Sequence, residues 1–448
     1  MRYNVVIIGG GPAGYVAAIR AAQLGLKTVL IEKKHLGGMC LNWGCIPTKS
    51  IIESAKMYQK VLSAADFGID GIEQDKIIFN WDIAKKRAIK IASRLKAGIG
   101  FLMKKNNVEV ISGEAVITGQ NTVSVENRTL EADNIIIATG SYPAPVSFIQ
   151  NDDKIIQLDK LFEEKELPQH IVVYGNGAVA VEMTQFFNLI GKKVTLIAPS
   201  HNIIPKTDLF LSDFALKTLK NRKIDVIISD KTAVLENGIL SIENHEVPCD
   251  KIVNCSLRKA VLVKSELGYK LTENGYIDTD NNFETSIKGI YAIGDVNGKS
   301  YLAHIASAQG ISVVNKIKAI KTDFNFDNFP INIYTHPEMS QIGKTEQRLK
   351  EEGIDYKVSV FPLSANGKAQ TEGQSEGLIR LLSDTKYGQV LGVQIIADHA
   401  TDMIAEAAAY MQIEGTIYDV ASTIHAHPTV SEIFMEAGLE AIDKAIHQ

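Results

Sequence analysis

The sequence predicts an α/β protein: two Rossmann-like dinucleotide-binding domains followed by a C-terminal α+β domain. Three observations carry that prediction. A short apolar run leads into a glycine-rich turn near the N-terminus, the same pattern returns 166 residues later, and the periodicity changes character after Pro330. At about 150 residues per domain, a chain of 448 residues with 45% apolar and 22% charged content makes roughly three globular domains.

The first unit is Val5-Val6-Ile7-Ile8, a buried-strand run, then Gly9-Gly10-Gly11-Pro12-Ala13-Gly14, a helical stretch through Leu24, and a second strand, Thr28 to Ile31, ending in Glu32. Glycines let the backbone turn tightly and approach a pyrophosphate, and the first N–H groups of the following helix meet its negative charge. Glu32, 23 residues beyond Gly9, is placed to accept the hydroxyls of an adenine ribose. The second unit repeats this as Ile171 to Tyr174, Gly175-Asn176-Gly177-Ala178-Val179-Ala180, a helical stretch, and Val194 to Ile197. Here the third glycine is Ala180 and the expected acid is Ala198, so a fold that no longer binds a nucleotide well is a competing reading.

Further along, Ile135 to Ile137 and Gly289 to Ile293 read as strands ending in small residues at a ligand-facing sheet edge. Asn80 to Lys105 reads as a helix whose apolar stripe (Ile83, Ile89, Ile91, Leu95, Ile99, Leu102) is expected to pack in the core. After Pro330, strands are expected at Ile331 to Tyr334, Tyr356 to Phe361, Leu378 to Leu382 and Val390 to Ile396. Helices follow at Thr401 to Ile413, Thr416 to Ser422 and Pro428 to Ile446.

Composition excludes several classes. Lys and Arg number 47 against 52 Asp and Glu, a net charge of −5, with no basic block to serve nucleic acid. No apolar stretch reaches the ~18 residues of a membrane span. The run Val5 to Ile8 is too short for a signal peptide. Four cysteines are too few for a disulfide-built scaffold, which points to a reducing, cytoplasmic setting.

Two of those cysteines carry chemistry. Cys40 and Cys45 lie in Gly37-Gly38-Met39-Cys40-Leu41-Asn42-Trp43-Gly44-Cys45-Ile46-Pro47-Thr48-Lys49. Five residues of regular helix rise ~7.5 Å, too far for a disulfide. The pair can bond only if the turn is distorted, and Gly44 and Pro47 are the residues expected to distort it. The alternative is two free buried cysteines, but the position about a dozen residues after the second strand of a dinucleotide unit favours a redox couple. Cys249 and Cys255 read as packing residues.

This segment resembles the redox motif of the flavoprotein disulfide reductases. With Gly289 to Val296, Tyr334-Thr335-His336-Pro337-Glu338 and His425-Ala426-His427-Pro428-Thr429-Val430-Ser431-Glu432, the likeness narrows to the dihydrolipoamide dehydrogenase group of the pyridine nucleotide-disulfide oxidoreductase family and runs the length of the chain. The resemblance implies FAD on the first unit, with Gly9, Gly11 and Gly14 at the pyrophosphate, Glu32 on the ribose and Ala115 near the adenine. It also brings Thr139, Gly140 and Ala303 to the cofactor, and Asp295 to the ribityl chain. NAD falls on Gly175 and Gly177, with NADP not excluded, and no metal is called for.

It further implies that Cys40 exchanges with a dithiol substrate, that Cys45 lies against the flavin, and that His427, oriented by Glu432, is the base acting on the partner subunit's disulfide. Lys49 and Glu182 match a family pair beside the flavin. His425 is read as structural. The implied partners are a second copy of the chain, in a homodimer, and a lipoyl-bearing protein of a 2-oxo acid dehydrogenase or glycine cleavage complex. The implied domains are 1–145 for FAD, 146–262 for the nicotinamide nucleotide, 263–328 completing the FAD and central region, and 329–448 for dimerisation.

The departures cluster in the second unit. Besides Ala180 and Ala198, Leu257 and Ala260 stand where the family has a Gly and a Pro in the loop touching the pyridine nucleotide. A leucine there could obstruct the ligand, and the lost ribose acid costs about 1.5–3 kcal/mol. The alternative function is therefore a related disulfide reductase with another disulfide substrate or another electron acceptor, and weak or absent nicotinamide binding.

Overall fold

The computed structural model describes residues 2–144, 146 and 154–447. The expected boundary between 145 and 146 falls at a stretch that lies largely outside the described residues.

Strand β1 (Arg2–Ile8) runs parallel to β2 (Thr28–Glu32), with helix α1 (Pro12–Gln23) between them. Residues Val5 to Ile8 are buried because both faces of this sheet are covered. Gly9 has φ +107°, and a Cβ there would meet the Ala138 carbonyl oxygen at 2.3 Å. A Cβ on Gly14 would stand 1.8 Å from the Gly9 oxygen, so only glycine lets helix and strand approach this closely. The sheet continues on one side through Glu109–Ser112. On the other it passes to Arg128–Ile137, whose first half starts an antiparallel meander and whose last residues pair with Ile290–Ala292.

The second unit reproduces the first in register as well as sequence. Val5 pairs with Thr28, and Ile171 pairs with Val194, the same 23-residue offset. Its helix, Ala178–Leu189, is α1 displaced by 166. The sheet is five-stranded and wholly parallel, with His170–Gly175 at its centre between Lys193–Ala198 and Lys251–Cys255. Ala180 is fully buried, so the missing third glycine is accommodated by packing.

Three expectations are corrected. Helix α2 (Gly38–Asn42) carries Cys40 and helix α3 (Cys45–Leu62) begins at Cys45, and α3 was not foreseen. The distortion between them comes from Trp43 and Gly44. Pro47 sits inside the first turn of α3, where a backbone N–H has no helical partner anyway. Helix α4 (Trp81–Lys105) forms, with Asn80 accepting the Ile83 N–H as its cap, but it buries Trp81, Ala84, Ala88, Ala92, Ile99 and Met103. The expected stripe lies mainly on the outside, with Ile83 65% exposed and Ile89, Leu95 and Leu102 also exposed. Small alanines let α4 lie close to α3, which rotates the larger side chains outward.

The last helix is Glu432–Ile442 with Ser431 as its cap residue, so Pro428 does not begin it; the His427–Pro428 and His336–Pro337 peptides are cis.

The C-terminal sheet is antiparallel and five-stranded, in the order Ile331–Ile333, Glu338–Gly343, Val390–Ala397, Leu378–Asp384, Tyr356–Pro362. Strand Glu338–Gly343 escaped the sequence reading because its buried side chains include Glu338, Ser340 and Gln341, which break the apolar pattern. Each is satisfied: Glu338 by Lys56 and Thr401, Ser340 by the Ala400 carbonyl, and Gln341 by the Asp208 N–H.

Arg380 fastens this domain to the second unit. Its guanidinium pairs with Glu346, donates to Gln394 at 2.9 Å, lies 3.8 Å from Asp208 and stacks 4.4 Å over the Phe210 ring. Arg380→Ala leaves two largely buried carboxylates without their cation and should destabilise the fold by about 3–5 kcal/mol, measured by urea unfolding.

Candidate active site

The principal cavity, about 820 Å³, starts at the β1–α1 turn and ends at the cysteines. Gly9, Gly11, Glu32, Cys40, Cys45, Lys49, Thr139, Gly140, Asp295 and Ala303 all line it. Helix α1 begins at Pro12 with no side-chain cap and no acid in its first turn, so its N-terminal dipole is open to an anion such as a pyrophosphate. Glu32 accepts the Gly10 N–H at 2.6 Å and those of Lys34 and His35, which fixes the carboxylate at the cavity wall. Gly14 lies behind the lining. Ala115 is buried outside it, next to Glu114, whose carboxylate is 3.8 Å from the rim residue Lys33.

At the far end Cys40 and Cys45 form a disulfide with Cα atoms 4.6 Å apart. Both the Trp43 and Gly44 N–H groups turn back on the Met39 carbonyl, which closes the gap. A Cβ on Gly44 would crowd Met39 O at 3.1 Å and Cys40 Cα at 3.3 Å. Cys45 is the first residue of α3, so a thiolate released there meets the positive end of an 18-residue helix.

Lys49, one turn further on, donates to Glu182 Oε2 at 2.6 Å. Glu182 is 2% exposed and its other oxygen accepts the Tyr334 N–H at 2.9 Å, while Lys49 also lies 4.7 Å over the Tyr334 ring. The cation is thereby held at the sulfur end of the cavity.

Arg258 and Ser141 were not foreseen as parts of this site. Ser141 donates to Asp295 at 2.5 Å, and Arg258 donates to Ser141 Oγ at 2.7 Å and stands 3.8 Å from the Asp295 carboxylate. Burial pushes the Asp295 carboxyl up, against the pull of Ser141 and Arg258. Ser141 directly follows Thr139-Gly140, which was the available signal. Arg258 belongs to the loop of Leu257 and Ala260, and nothing in its spacing pointed inward.

Gly175 and Gly177 do not line this cavity; they form the turn of the second unit, at φ +132° and +88°. A Cβ on Gly175 would meet the Cys255 carbonyl at 2.4 Å. The helix after them has no side-chain cap and no acid in its first turn, which suits a pyrophosphate. Leu257 is 72% exposed, so its side chain projects into solvent rather than filling the turn.

His427 and Glu432 form a pair of their own. Nδ1 of His427 is 2.9 Å from Glu432 Oε1, and Glu432 Oε2 accepts the Thr429 N–H at 2.8 Å. Although burial works against ionisation, Thr429 and His427 hold the Glu432 carboxyl below the ordinary range. The His427 side chain is 79% exposed and lies outside the cavity lining, presented outward on a rigid support.

His425 points the other way. Its Nε2 is 2.7 Å from Glu406, and its ring stacks on Phe434. The Glu406 hydrogen bond raises the His425 pKa above 6.5, despite burial. The stabilisation is therefore complete below pH 6.5 and lost as pH rises through the elevated value. Urea midpoints should fall across that interval, and His425→Gln should flatten the dependence.

A disulfide and a fixed cation at one end of a cavity that begins at a dinucleotide-type glycine turn, on a chain with a second such unit, define a two-electron disulfide oxidoreductase of the flavoprotein type. The chain belongs to the pyridine nucleotide-disulphide oxidoreductase family: residues 3–310 match its main model, and residues 329–438 match its dimerisation domain. It is 36% identical to the dihydrolipoyl dehydrogenase of Bacillus subtilis (strain 168), covering 99% of each chain. It is 35% identical to that of Rhizobium etli, again over 99% of each, and 36% identical to the human mitochondrial enzyme over 98% of this chain and 90% of that one. Among solved structures, LpdA of Mycobacterium tuberculosis superposes with a TM-score of 0.89 at 22% identity, covering 98% of this chain and 99% of that one. The HOCl-induced flavoprotein disulfide reductase RclA of Escherichia coli superposes at 0.86 with 24% identity, over 96% and 98%. At those identities the superpositions speak for the fold alone. No helix among the described residues is long and apolar enough to cross a membrane.

Proposed function

We propose that this chain is a dihydrolipoamide dehydrogenase that oxidises the dihydrolipoyl group of a lipoyl-bearing protein and delivers the electron pair to NAD⁺. The observation that carries this reading is the Cys40–Cys45 disulfide opening into the same cavity as the glycine turn and Glu32. Gly9, Gly11, Glu32, Thr139, Gly140, Asp295 and Ala303 would hold FAD, with Gly14 setting the turn and Ala115 at its adenine end. FAD supplies a two-electron acceptor between the dithiol and the nicotinamide. Gly175 and Gly177 would cradle the pyrophosphate of NAD.

In the first step a substrate thiolate attacks Cys40 and displaces Cys45 as a thiolate. The second substrate thiolate then attacks the other substrate sulfur in that mixed disulfide and displaces Cys40 as a thiolate. The substrate leaves as a closed disulfide, and both cysteines are reduced by the electron pair it gave up. His427 of the second subunit holds the proton taken from the substrate, with Glu432 orienting the ring through Nδ1. The α3 N-terminus stabilises the Cys45 thiolate, and Lys49, fixed by Glu182, stabilises negative charge beside it.

The outward presentation of His427 and the dimerisation-domain match support a homodimer in which each subunit completes its partner's site. The expected domain division, 1–145, 146–262, 263–328 and 329–448, is supported by Ile290–Ala292 returning to pair in the first sheet. Free thiols at Cys249 and Cys255 fit a reducing cytoplasm, with a 2-oxo acid dehydrogenase or glycine cleavage complex as the assembly served.

The test is anaerobic titration. One equivalent of dihydrolipoamide should produce a long-wavelength absorbance band, and NAD⁺ should then yield one equivalent of NADH. Reduction by dihydrolipoamide with no NADH at millimolar NAD⁺ would favour the second reading, a reductase with another acceptor. The replacement of the ribose acid by Ala198 is the observation behind that alternative.

A further inference from the structure

The first and second units share one register, so position 198 is where Glu32 stands displaced by 166. In the second unit that place is a fully buried methyl group, and the Ala198 carbonyl already accepts the Ser229 N–H at 2.9 Å. A carboxylate here would bind the ribose 2′-hydroxyl and repel a 2′-phosphate; an alanine does neither.

Polar side chains that follow residues 198 and 228 carry both signs, and several have partners of their own. His201 stands 3.5 Å from Asp213, Lys231 stands 3.6 Å from Asp230, and the Asn202 side chain accepts from Ser212 at 2.7 Å. Arg222, the nearest arginine in sequence, donates to the His336 carbonyl at 3.0 Å in the seam with the C-terminal domain. Among the described residues of this edge, no guanidinium fork is left for a 2′-phosphate. The glycine turn at Gly175 and Gly177 and the uncapped helix after it remain as the anion-binding device, which would meet the pyrophosphate common to both nucleotides.

We infer that the second dinucleotide unit does not discriminate at the ribose 2′ position, so that NAD and NADP nucleotides bind it alike, and that residue 198 is where this selectivity has been lost. The inference rests on the nicotinamide step of the proposed function. It concerns only the adenosine half, whatever Leu257 does at the other end.

Calorimetric binding of ADP-ribose and of its 2′-phosphorylated form to the FAD-loaded dimer tests it without turnover. The two dissociation constants should agree within about threefold. Ala198→Glu should shift their ratio by about tenfold or more toward ADP-ribose, the worth of one charge-assisted hydrogen bond. The wild-type ratio stands without the variant should a glutamate at this buried site impair folding. A wild-type preference above about tenfold in either direction, or no binding of either ligand at millimolar concentration, would overturn the inference. Equal binding of both ligands, with no electron transfer from dihydrolipoamide to either NAD⁺ or NADP⁺, would instead count against the nicotinamide step while leaving the inference intact.

Discussion

Cys45→Ser should lower the rate of dihydrolipoamide oxidation by a factor on the order of 10⁴ or more while leaving FAD bound, because members of one covalent relay cannot substitute for each other. The serine is nearly isosteric and keeps the first turn of α3, so unfolding temperature should change little. Cys40→Ser should be equally inactive for a different reason, and the two variants are distinguishable by eye. With Cys40 removed, the Cys45 sulfur is a free thiol at a helix N-terminus, where the dipole favours its thiolate. That variant should show the long-wavelength band at neutral pH without any reductant, and Cys45→Ser should never show it. If the band followed Cys45→Ser instead, the assigned order of the two sulfurs would be reversed.

His427→Gln should reduce kcat for the dithiol half-reaction by about 10²- to 10⁴-fold, the usual worth of a positioned acid–base group, with the Cys40–Cys45 couple and FAD content unaffected. Because His427 is outside the lining of its own chain's cavity, the deficit should be curable from the other subunit. Co-expression of His427→Gln with Cys45→Ser should restore about a quarter of wild-type activity, since half the dimers would pair an intact disulfide with an intact histidine on the opposite subunit. Two inactive homodimers yielding an inactive mixture would place the base within one chain. Glu432→Gln should produce a milder loss, since it removes the carboxylate that holds the His427 ring through Nδ1 while leaving the base itself in place.

Much of this site was legible because its demands are local. Gly9, Gly14 and Gly175 are required by close backbone approach, and Glu32 by a fixed distance along one βαβ unit, so spacing alone reported them. The doubled unit was legible to the register of its strands for the same reason. What escaped was set by contacts between distant segments. Glu338, Ser340 and Gln341 form a buried strand only because Lys56, Ala400 and Asp208 arrive to meet them. The apolar residues of α4 read as core, yet the alanines won the inner face, since close packing against α3 rewards small side chains over large ones. Arg258 likewise becomes part of the cavity only once Ser141 and Asp295 are folded beside it.

The two cysteines that take no part in the relay have a practical consequence. Burial pushes the Cys249 thiol up to about 11 and the Cys255 thiol up to about 12, so near neutrality both are protonated and shielded from solvent. A thiol-alkylating reagent applied to the oxidised native enzyme should therefore incorporate almost no label, and after one round of substrate reduction the label should fall on Cys40 and Cys45 against a blank background. The molecule carries its own zero point, and mass spectrometry of the labelled chain would count open couples directly, turnover by turnover.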